Sequence, residues 1–355
     1  MSAGCSSMPD CRNVMPIADA NQPIITALGA ELQREHLAGT FDGLVWVAQG
    51  DKVLLQSAYG CADRSETVLN QATVISDMGS IAKTFTAAAV LQLAANHRLQ
   101  LSATLGDFYP TAPAELQTIT IKQLLAHDSG LDNFHNESDF EVMDKAEAER
   151  RILAMPLIAK PGETIAYSNA AYTLLAAIVE KVSGQSFQDY IHSNLLTPLK
   201  LQHTGFYQDS RLAGAQFARG YGGDEAGQTT YDKTLTWALL GAGGMVTSVE
   251  DLAVWFAALH SGAILPPEQP NLVFSAANER WLLGSFAQLE VNGEAIVQMG
   301  GSTDYGYTAL LQFVPARDLL IILLFNAHDS KYGNATHHRI SRHHILPILL
   351  ADSAD

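Results

Sequence analysis

Apolar residues near the N-terminus follow two spacings in turn. From residue 21 to residue 37 they recur at helical spacing, which predicts an amphipathic helix. Two apolar runs at 44–47 and 53–55 then flank Gln49-Gly50-Asp51. Short apolar runs on either side of such a turn predict a β-hairpin.

The middle of the chain has a different pattern. Residues 80–99 are apolar on nearly every side of a helical projection, which predicts a buried helix. Residues 170–182 predict a second apolar helix that ends at Gly184. Ser248 is placed to cap a third helix, because Asp251 follows three residues later. The middle region therefore predicts mostly helices and loops.

Strand signals return near the C-terminus. Apolar runs at 307–313 and 319–325 flank a Pro-containing turn, and a helix is predicted over 336–350. Strands at both ends with helices between them predict an α/β (α+β) fold. We expect residues 20–75 together with 280–355 to form a sheet domain.

The remaining residues complete the predicted organisation. Residues 76–279 are expected to form a mostly helical lobe inserted into the sheet domain. The polar stretch 1–19 is expected to be disordered. It lacks the basic and then apolar order of a signal peptide, although residues 2–7 loosely resemble a lipoprotein cleavage site. Localisation stays open: cytoplasmic if the chain is complete, periplasmic or lipoprotein-anchored if a signal is missing.

Composition narrows the function classes. The chain has 355 residues, of which 21 are Lys or Arg and 37 are Asp or Glu, so the formal net charge is −16. A surface of that charge repels nucleic acid and anionic headgroups, and we expect neither as a partner. No apolar run approaches the roughly 18 residues that a membrane span needs. The pattern leaves the oligomeric state open.

Neither cysteines nor histidines predict a metal site. The chain has three cysteines, Cys5, Cys11 and Cys61, and this odd number without Cys-x-x-Cys spacing predicts neither a disulfide scaffold nor a zinc site. A Cys5–Cys11 bridge remains an alternative. Of the four histidines within 337–344, at most two can lie on one face of a helix, and no carboxylate lies among them to complete a metal site. We expect no metal ion and no cofactor.

Ser80 and Lys83 form a Ser-x-x-Lys motif at the start of the predicted buried helix. Residues three apart share a helix face, so the Lys83 amine can reach Ser80 Oγ. Free N–H groups at a helix N-terminus favour a developing oxyanion, and burial lowers the pKa of a lysine. The motif predicts Ser80 as a nucleophile with Lys83 as a proton carrier. The alternative is an ordinary capping hydroxyl beside a solvated cation.

A Tyr-x-Asn pair, Tyr167 and Asn169, lies on a turn before the helix at 170–182. A phenol, with an ordinary pKa of about 10, is a poor base unless a cation such as Lys83 lies beside it. Asn169 would orient the lysine or donate to a substrate amide. The sequence does not decide whether Lys83 or Tyr167 is the general base. A second Tyr-x-Asn at 332–334 is interpreted as a loop.

A glycine-rich segment spans residues 297–307. Its glycines would let a strand edge approach a ligand closely, and the alternative is a turn between strands. His127 and Asp128 precede Ser129 in the sequence, but adjacent residues cannot form a catalytic relay, so we interpret them as a structural turn.

In this order, the segments resemble the penicillin-recognising serine hydrolases that share the Ser-x-x-Lys motif, and most closely their class C β-lactamase-like branch, with D,D-peptidases and family VIII esterases. The resemblance runs from about residue 44 to residue 326 and includes 119–131, 241–245 and 248–252. It implies a five-stranded antiparallel sheet flanked by helices. It also implies a Ser80 acyl-enzyme, with the active site between the sheet and the helical lobe.

The resemblance also implies roles along the glycine-rich segment. The oxyanion hole would combine the Ser80 N–H with that of Gly301 or Ser302. The third motif of these enzymes usually begins with Lys or His, whereas this chain has Gln298 or Met299 there, depending on a one-residue shift. Neither is cationic, which argues against substrates whose carboxylate that residue would pair with.

The sequence therefore favours a serine hydrolase that cleaves carboxylic esters, with amides as a second choice. One alternative is a D,D-carboxypeptidase or a weak class C-type β-lactamase. Another is a non-catalytic module that binds penicillin or acyl ligands. The expected partner is a small-molecule ester or acyl substrate.

Overall fold

The structure is a computed structural model that describes residue 11 and residues 14–18, 22–223 and 226–351. Its strands are β1 (Val14–Ala18), β2 (Phe41–Gln49), β3 (Lys52–Tyr59), β4 (Cys61–Asp63), β5 (Val68–Leu69), β6 (Ser76–Asp77), β7 (Gly205–Phe206), β8 (Met245–Thr247), β9 (Ala287–Val291), β10 (Glu294–Ser302), β11 (Thr308–Val314) and β12 (Leu319–His328).

The α-helices of the described residues are α1 (Pro23–Leu37), α2 (Ala82–Ala95), α3 (Leu105–Phe108), α4 (Ala114–Gln117), α5 (Ile121–Leu125), α6 (Lys145–Leu153), α7 (Asn169–Ser183), α8 (Phe187–Ile191), α9 (Thr197–Leu199), α10 (Val249–His260), α11 (Thr336–Ile340) and α12 (Leu346–Leu349). A π-helical turn at Ser341–Ile345 joins α11 to α12, so these three segments form one terminal helix. No helix among the described residues combines the length and the apolar character that crossing a membrane requires.

One antiparallel sheet of the described residues contains seven strands, in the order β1-β3-β2-β12-β11-β10-β9. The two predicted hairpins are confirmed as β2–β3 and β11–β12. β2 pairs with β12, so the N-terminal and C-terminal parts of the chain close one sheet. The α/β (α+β) class is confirmed. The sheet has two strands more than the five that the resemblance implied, because β1 and β9 add to its edges.

The sheet is covered on both faces. Val45, Leu310 and Ile321 belong to an apolar cluster with α1 and the terminal helix. Leu44, Leu311 and Ile322, the alternate residues of the same strands, belong to a larger cluster with α2, α7 and α10. Burial on both faces explains why β12 is apolar at nearly every position.

The predicted helices of the middle region are also confirmed. α2 buries 12 of its 14 residues, and Phe85 stacks on Trp255 of α10 with ring centroids 3.9 Å apart. α7 ends at Gly184, which adopts a left-handed φ of 75°. The Ser248 side chain accepts a hydrogen bond from Asp251 N, as a capping residue does.

The strands of the main sheet come from 14–59 and 287–328, and most helices lie between these segments. This arrangement supports the proposed division into a sheet domain (20–75 with 280–355) and an inserted helical lobe (76–279). A small sheet of β6, β8 and β7 lies inside the lobe region. It places Ser76 and Asp77 directly before the Ser-x-x-Lys segment.

The N-terminal segment departs from its predicted disorder. Val14–Ala18 pairs with β3, with Val14 opposite Tyr59, because the edge of the β2–β3 hairpin is open to a further strand. This register brings Cys11 and Cys61 together, and they form a disulfide. The alternative of a Cys5–Cys11 bridge is therefore wrong. Cys5 and most of residues 1–19 lie outside the described residues.

Candidate active site

Ser80 lies in a 3₁₀ turn, Gly79–Ile81, that leads directly into α2. The turn is held by Asp77, whose Oδ1 accepts a hydrogen bond from Gly79 N at 2.7 Å. The other carboxylate oxygen of Asp77 accepts from Tyr207 Oη at 2.5 Å and from Thr230 Oγ1 at 2.6 Å. Ser80 is thus half-buried and fixed by a buried carboxylate that sequence reasoning did not identify.

Lys83 is fully buried one turn beyond Ser80. Its Nζ lies 3.0 Å from Ser80 Oγ and donates to the carbonyl oxygen of Ala242 at 2.6 Å. Burial lowers the pKa of Lys83 from its ordinary value to about 7, while the negative charge of Asp139 opposes the change. A large fraction of neutral amine is therefore present near pH 7, and a neutral amine can accept the Ser80 proton.

Tyr167 reaches Ser80 from the other side. Its hydroxyl donates to Ser80 Oγ at 2.8 Å, and Lys83 Nζ lies 5.0 Å from its ring centroid. Burial nevertheless raises the pKa of Tyr167 well above the ordinary value for a phenol. The hydrogen bond to Ser80 acts in the opposite direction and does not offset burial. Tyr167 is a protonated phenol that donates hydrogen bonds.

Asn169 is the first residue of α7 and lines the cleft in front of Ser80. Its Nδ2 donates to Asn133 Oδ1 at 2.9 Å. The same oxygen accepts from Asn169 N at 3.1 Å. The structure therefore places Asn169 at the cleft wall, tied to Asn133, and shows no bond from it to Lys83.

The glycine-rich end of β10 packs directly on the Ser80 turn. A Cβ added to Gly301 would collide with the Met78 carbonyl oxygen and lie 2.8 Å from Ser80 N. A Cβ added to Gly79, where φ is +50°, would lie 2.6 Å from Ser302 N. Only glycine permits this approach of two backbones. The two segments that carry the backbone N–H groups of Ser80 and Ser302 therefore lie against one another.

Gln298 and Met299 point to opposite faces of β10. Gln298 Oε1 accepts from Gln312 Nε2 at 2.7 Å, and Gln312 Oε1 accepts from Ser341 Oγ of the terminal helix at 2.6 Å. Met299 shares the opposite face with Gly301, which contacts the Ser80 turn. Met299 thus shares its face of β10 with the glycine that contacts the Ser80 turn, although both Met299 and Gln298 line a cleft at Ser80.

Two clefts meet at Ser80. The first, of about 510 Å³, is lined by Ser80, Tyr167, Asn169 and Ser302, together with three acidic residues: Glu137, Asp139 and Asp304. We call it the acidic cleft. The charge of Asp304 adds to burial in raising the pKa of Asp139.

The second cleft, of about 570 Å³, lies at the same end of β10 and is lined by Arg280, Trp281, His337 and His338 together with Gln298 and Met299, with no Asp or Glu among its described lining residues. We call it the Arg280 cleft. The sequence did not identify Glu137, Asp139 or Arg280 as site residues, because they lie outside the motifs, and it did not single out Asp304 within the glycine-rich segment 297–307. Asn334, which lines both clefts, belongs to the Tyr-x-Asn copy that was interpreted as a loop.

The described residues contain one group of His and acidic side chains with metal-like spacing, formed by Glu31, Glu35 and His344. Arg339 already contacts Glu35 at 2.6 Å, and His344 Nδ1 lies 2.6 Å from Glu31. These contacts form a partly buried polar cluster between α1 and the terminal helix, and its residues line neither cleft at Ser80. The chemistry available at Ser80 itself is acyl transfer by an activated alcohol.

Sequence comparison identifies a family and individual relatives that match most of this chain. A family model described as Beta-lactamase matches residues 26–344. Protein flp of Staphylococcus aureus (strain MRSA252) is 33% identical over 247 residues, which are 67% of this chain and 48% of that protein. Teichoic acid D-alanine hydrolase of the same strain is 25% identical over 231 residues, which are 65% and 57%. The chain spans about half the length of the curated relatives it matches.

Solved structures share the fold. D-amino acid amidase from Ochrobactrum anthropi SV3, in complex with L-phenylalanine, matches with a TM-score of 0.77 at 17% identity, over 93% of this chain and 99% of that one. At this identity the likeness shows the fold alone. The family model, in contrast, covers most of the chain and includes the segments that carry Ser80, Lys83 and Tyr167. The chain therefore belongs to the beta-lactamase family of serine hydrolases.

Proposed function

We propose that this protein hydrolyses carboxylic esters through a covalent acyl-enzyme on Ser80. The observation that carries the proposal is that Ser80 Oγ lies 3.0 Å from Lys83 Nζ and 2.8 Å from the Tyr167 hydroxyl, at the junction of two clefts. A nucleophile within hydrogen-bond reach of an amine that is partly neutral near pH 7 meets the geometric and pKa requirements for acyl transfer.

In the proposed acylation step, Ser80 Oγ attacks the substrate carbonyl carbon while its proton passes to neutral Lys83. The N–H groups of Ser80 and Ser302 stabilise the oxyanion that forms. As the intermediate collapses, the bond to the leaving alcohol breaks. The Tyr167 hydroxyl donates its proton to the departing alcohol oxygen and regains one from Lys83. Water then attacks the acyl carbon while Lys83 accepts its proton. The bond from the acyl carbon to Ser80 Oγ breaks, Lys83 returns the proton to Oγ, and the acid product leaves.

The electrostatics of the site support an ester without a carboxylate beside the scissile bond. Met299 provides an apolar side chain where the related enzymes usually have a cation. Glu137, Asp139 and Asp304 line the acidic cleft and repel a substrate carboxylate there. The names of two similar proteins refer to D-alanine on teichoic acid and to D-amino acids, which carry an amino group. We therefore favour esters with a neutral or cationic acyl group, and amides as a second choice.

A D,D-carboxypeptidase or weak β-lactamase activity is the second candidate. Arg280 lines the Arg280 cleft next to Met299 and Gln298 and supplies a guanidinium that can pair with a carboxylate. It is exposed, which weakens such a pair. A substrate with a carboxylate would have to lie in the Arg280 cleft and avoid the acidic cleft.

A matched substrate panel tests the proposal. Initial rates are measured on methyl propionate, D-alanine methyl ester, a peptide ending in D-Ala-D-Ala, and nitrocefin, with the wild type and Arg280→Gln. We expect turnover of both esters, a higher kcat/KM for the D-alanine ester, and no effect of Arg280→Gln on either. Turnover of the peptide or nitrocefin alone, lost in Arg280→Gln, would overturn the ester assignment in favour of the second candidate.

Variants of the three central residues test the mechanism. We expect Ser80→Ala to abolish ester hydrolysis, and Lys83→Ala and Tyr167→Phe to lower kcat by roughly a hundredfold or more, as losses of proton carriers do. Tyr190→Phe is the control, because this buried tyrosine lies away from both clefts. Near-normal rates in Lys83→Ala or Tyr167→Phe would show that the proton carriers are assigned wrongly.

A further inference from the structure

His127 is a buried titratable residue that the proposed mechanism does not use. It follows the short helix α5 by two residues, is fully buried, and adopts a left-handed φ of 55°. Such a backbone is uncommon for a residue other than glycine, and it persists where surrounding contacts hold it. The contacts of His127 therefore show which neighbouring residues stabilise this backbone conformation.

Three consecutive residues around Tyr167 contact His127. The carbonyl oxygen of His127 accepts from Ala166 N at 2.8 Å, and its Nδ1 accepts from Ser168 N at 3.1 Å. Between these two anchors, the imidazole ring stacks on the Tyr167 ring, with centroids 4.4 Å apart and planes 30° apart. One residue thus fixes the backbone on both sides of Tyr167 and one face of its ring.

The protonation state of His127 is set by the same contacts. Because Nδ1 accepts a backbone hydrogen bond, the neutral ring carries its proton on Nε2. Burial lowers the pKa of His127 well below its ordinary value, and the charges of Lys83 and Arg280 act in the same direction. Tyr172 and Trp281 enclose the remaining sides of the ring, with centroids 5.0 Å and 4.5 Å away. Burial and the neighbouring cations therefore favour the neutral form of His127.

We infer that His127 is a positioning residue that holds the Tyr167 hydroxyl against Ser80 Oγ. The inference rests on the proposed role of Tyr167. The Tyr167 side chain can rotate about its own torsion angles unless its neighbours prevent it. Its hydroxyl, however, must remain 2.8 Å from Ser80 Oγ to donate a hydrogen bond there. The two anchors and the stacked ring remove that freedom. A misplacement of about 1 Å at such a group can lower a rate by roughly a hundredfold.

A double-mutant cycle separates positioning from general structural support. The rate of ester hydrolysis and the rate of Ser80 labelling by a fluorophosphonate are measured for wild type, His127→Ala, Tyr167→Phe and the double variant. We expect His127→Ala to lower kcat roughly 10–100-fold with little change in KM. In the Tyr167→Phe background the same substitution should change the rate by less than about twofold, because nothing remains to be positioned.

Two further variants control for folding. His127→Asn keeps an acceptor for Ser168 N and tolerates the left-handed backbone, so it should recover part of the lost rate. His192→Ala is the matched control, since His192 is buried beside Phe206 and Asp209, away from Tyr167. It should lower the melting temperature with little effect on kcat.

The outcomes distinguish the inference from the proposed function. An equal loss of rate from His127→Ala in both backgrounds would overturn the positioning role and leave the Ser80 mechanism intact. A normal rate for Tyr167→Phe alone would overturn the role of Tyr167 itself and, with it, the role of His127. Recovery in His127→Asn, together with non-additivity in the cycle, would support both.

Discussion

At the scale of single residues, the burial of Lys83 decides what the site can do. An exposed lysine is protonated near pH 7 and cannot accept a proton, whereas burial brings the pKa of Lys83 to about 7. The sequence predicted this burial, because Lys83 opens a helix that is apolar all round. It could not predict that Ala242 O accepts a hydrogen bond from Lys83 Nζ, since Lys83 and Ala242 are 159 positions apart. Nor could it predict that the pKa of Tyr167 is raised, because the raising comes from burial, which depends on the packed surroundings.

The pH dependence of the rate follows from the lowered pKa of Lys83. The reactive form carries neutral Lys83, so kcat/KM on a neutral ester should be low at pH 5, rise through about pH 7 and level off above it. Lys83→Arg should remove activity at every pH, because a guanidinium stays protonated. Lys181→Arg, at a lysine outside both clefts, serves as the control. A rate that is flat or falls between pH 5 and pH 9 would contradict Lys83 as the base.

At the scale of secondary structure elements, the periodicity of the sequence predicted most helices and both main hairpins. It could not fix the register of β10, because a shift of one residue moves every side chain to the other face. The packing of Gln298 with Gln312 and the terminal helix selects the register in which Met299 and Gly301 face Ser80. β9 was missed because its residues are only half-buried or exposed and give no strong apolar run.

Two neighbouring glycines of β10 test this register. Gly301→Ala should lower activity by roughly a hundredfold and destabilise the protein, because its Cβ would meet backbone atoms of Met78 and Ser80 that cannot move aside. In Gly300→Ala the Cβ would meet the imidazole ends of His337 and His338 at 2.8–3.0 Å, and these side chains can shift.

The matching measurements are kcat and thermal melting for both variants. Gly29→Ala in α1 is the control, since a Cβ there meets nothing within 4 Å, and it should stabilise the protein by about 0.5–1 kcal/mol. If Gly300→Ala proves as damaging as Gly301→Ala, the assignment of the two faces of β10 is wrong.

At the scale of the whole molecule, contacts that are distant in sequence complete both the fold and the site. Strand patterns at both ends of the chain, with helices between them, indicated that the two ends share one sheet, as the β2–β12 pairing shows. The edge strand β1 and the Cys11–Cys61 disulfide were not predicted, because cysteine spacing alone does not determine pairing. The acidic cleft likewise brings together Asp139 and Asp304 from separate segments.

The Cys11–Cys61 disulfide makes a prediction about stability. It closes a loop with a sequence separation of 50 residues, so its loss should lower the free energy of unfolding by about 2–4 kcal/mol. Thermal melting with and without a reductant, on wild type and on Cys11→Ser/Cys61→Ser, measures the effect. Activity at low temperature should persist, since neither cysteine lines a cleft. A melting temperature that does not respond to the reductant would contradict the bridge.

The central claim is that Ser80 carries the acyl group during turnover. Intact-mass spectra are recorded on acid-quenched samples during hydrolysis of an ester, and peptide mapping locates the adduct. We expect a mass increase equal to the acyl group on the peptide that contains Ser80, which decays as product accumulates and is absent in Ser80→Ala. Undiminished turnover in Ser80→Ala, or an adduct that never decays, would contradict it.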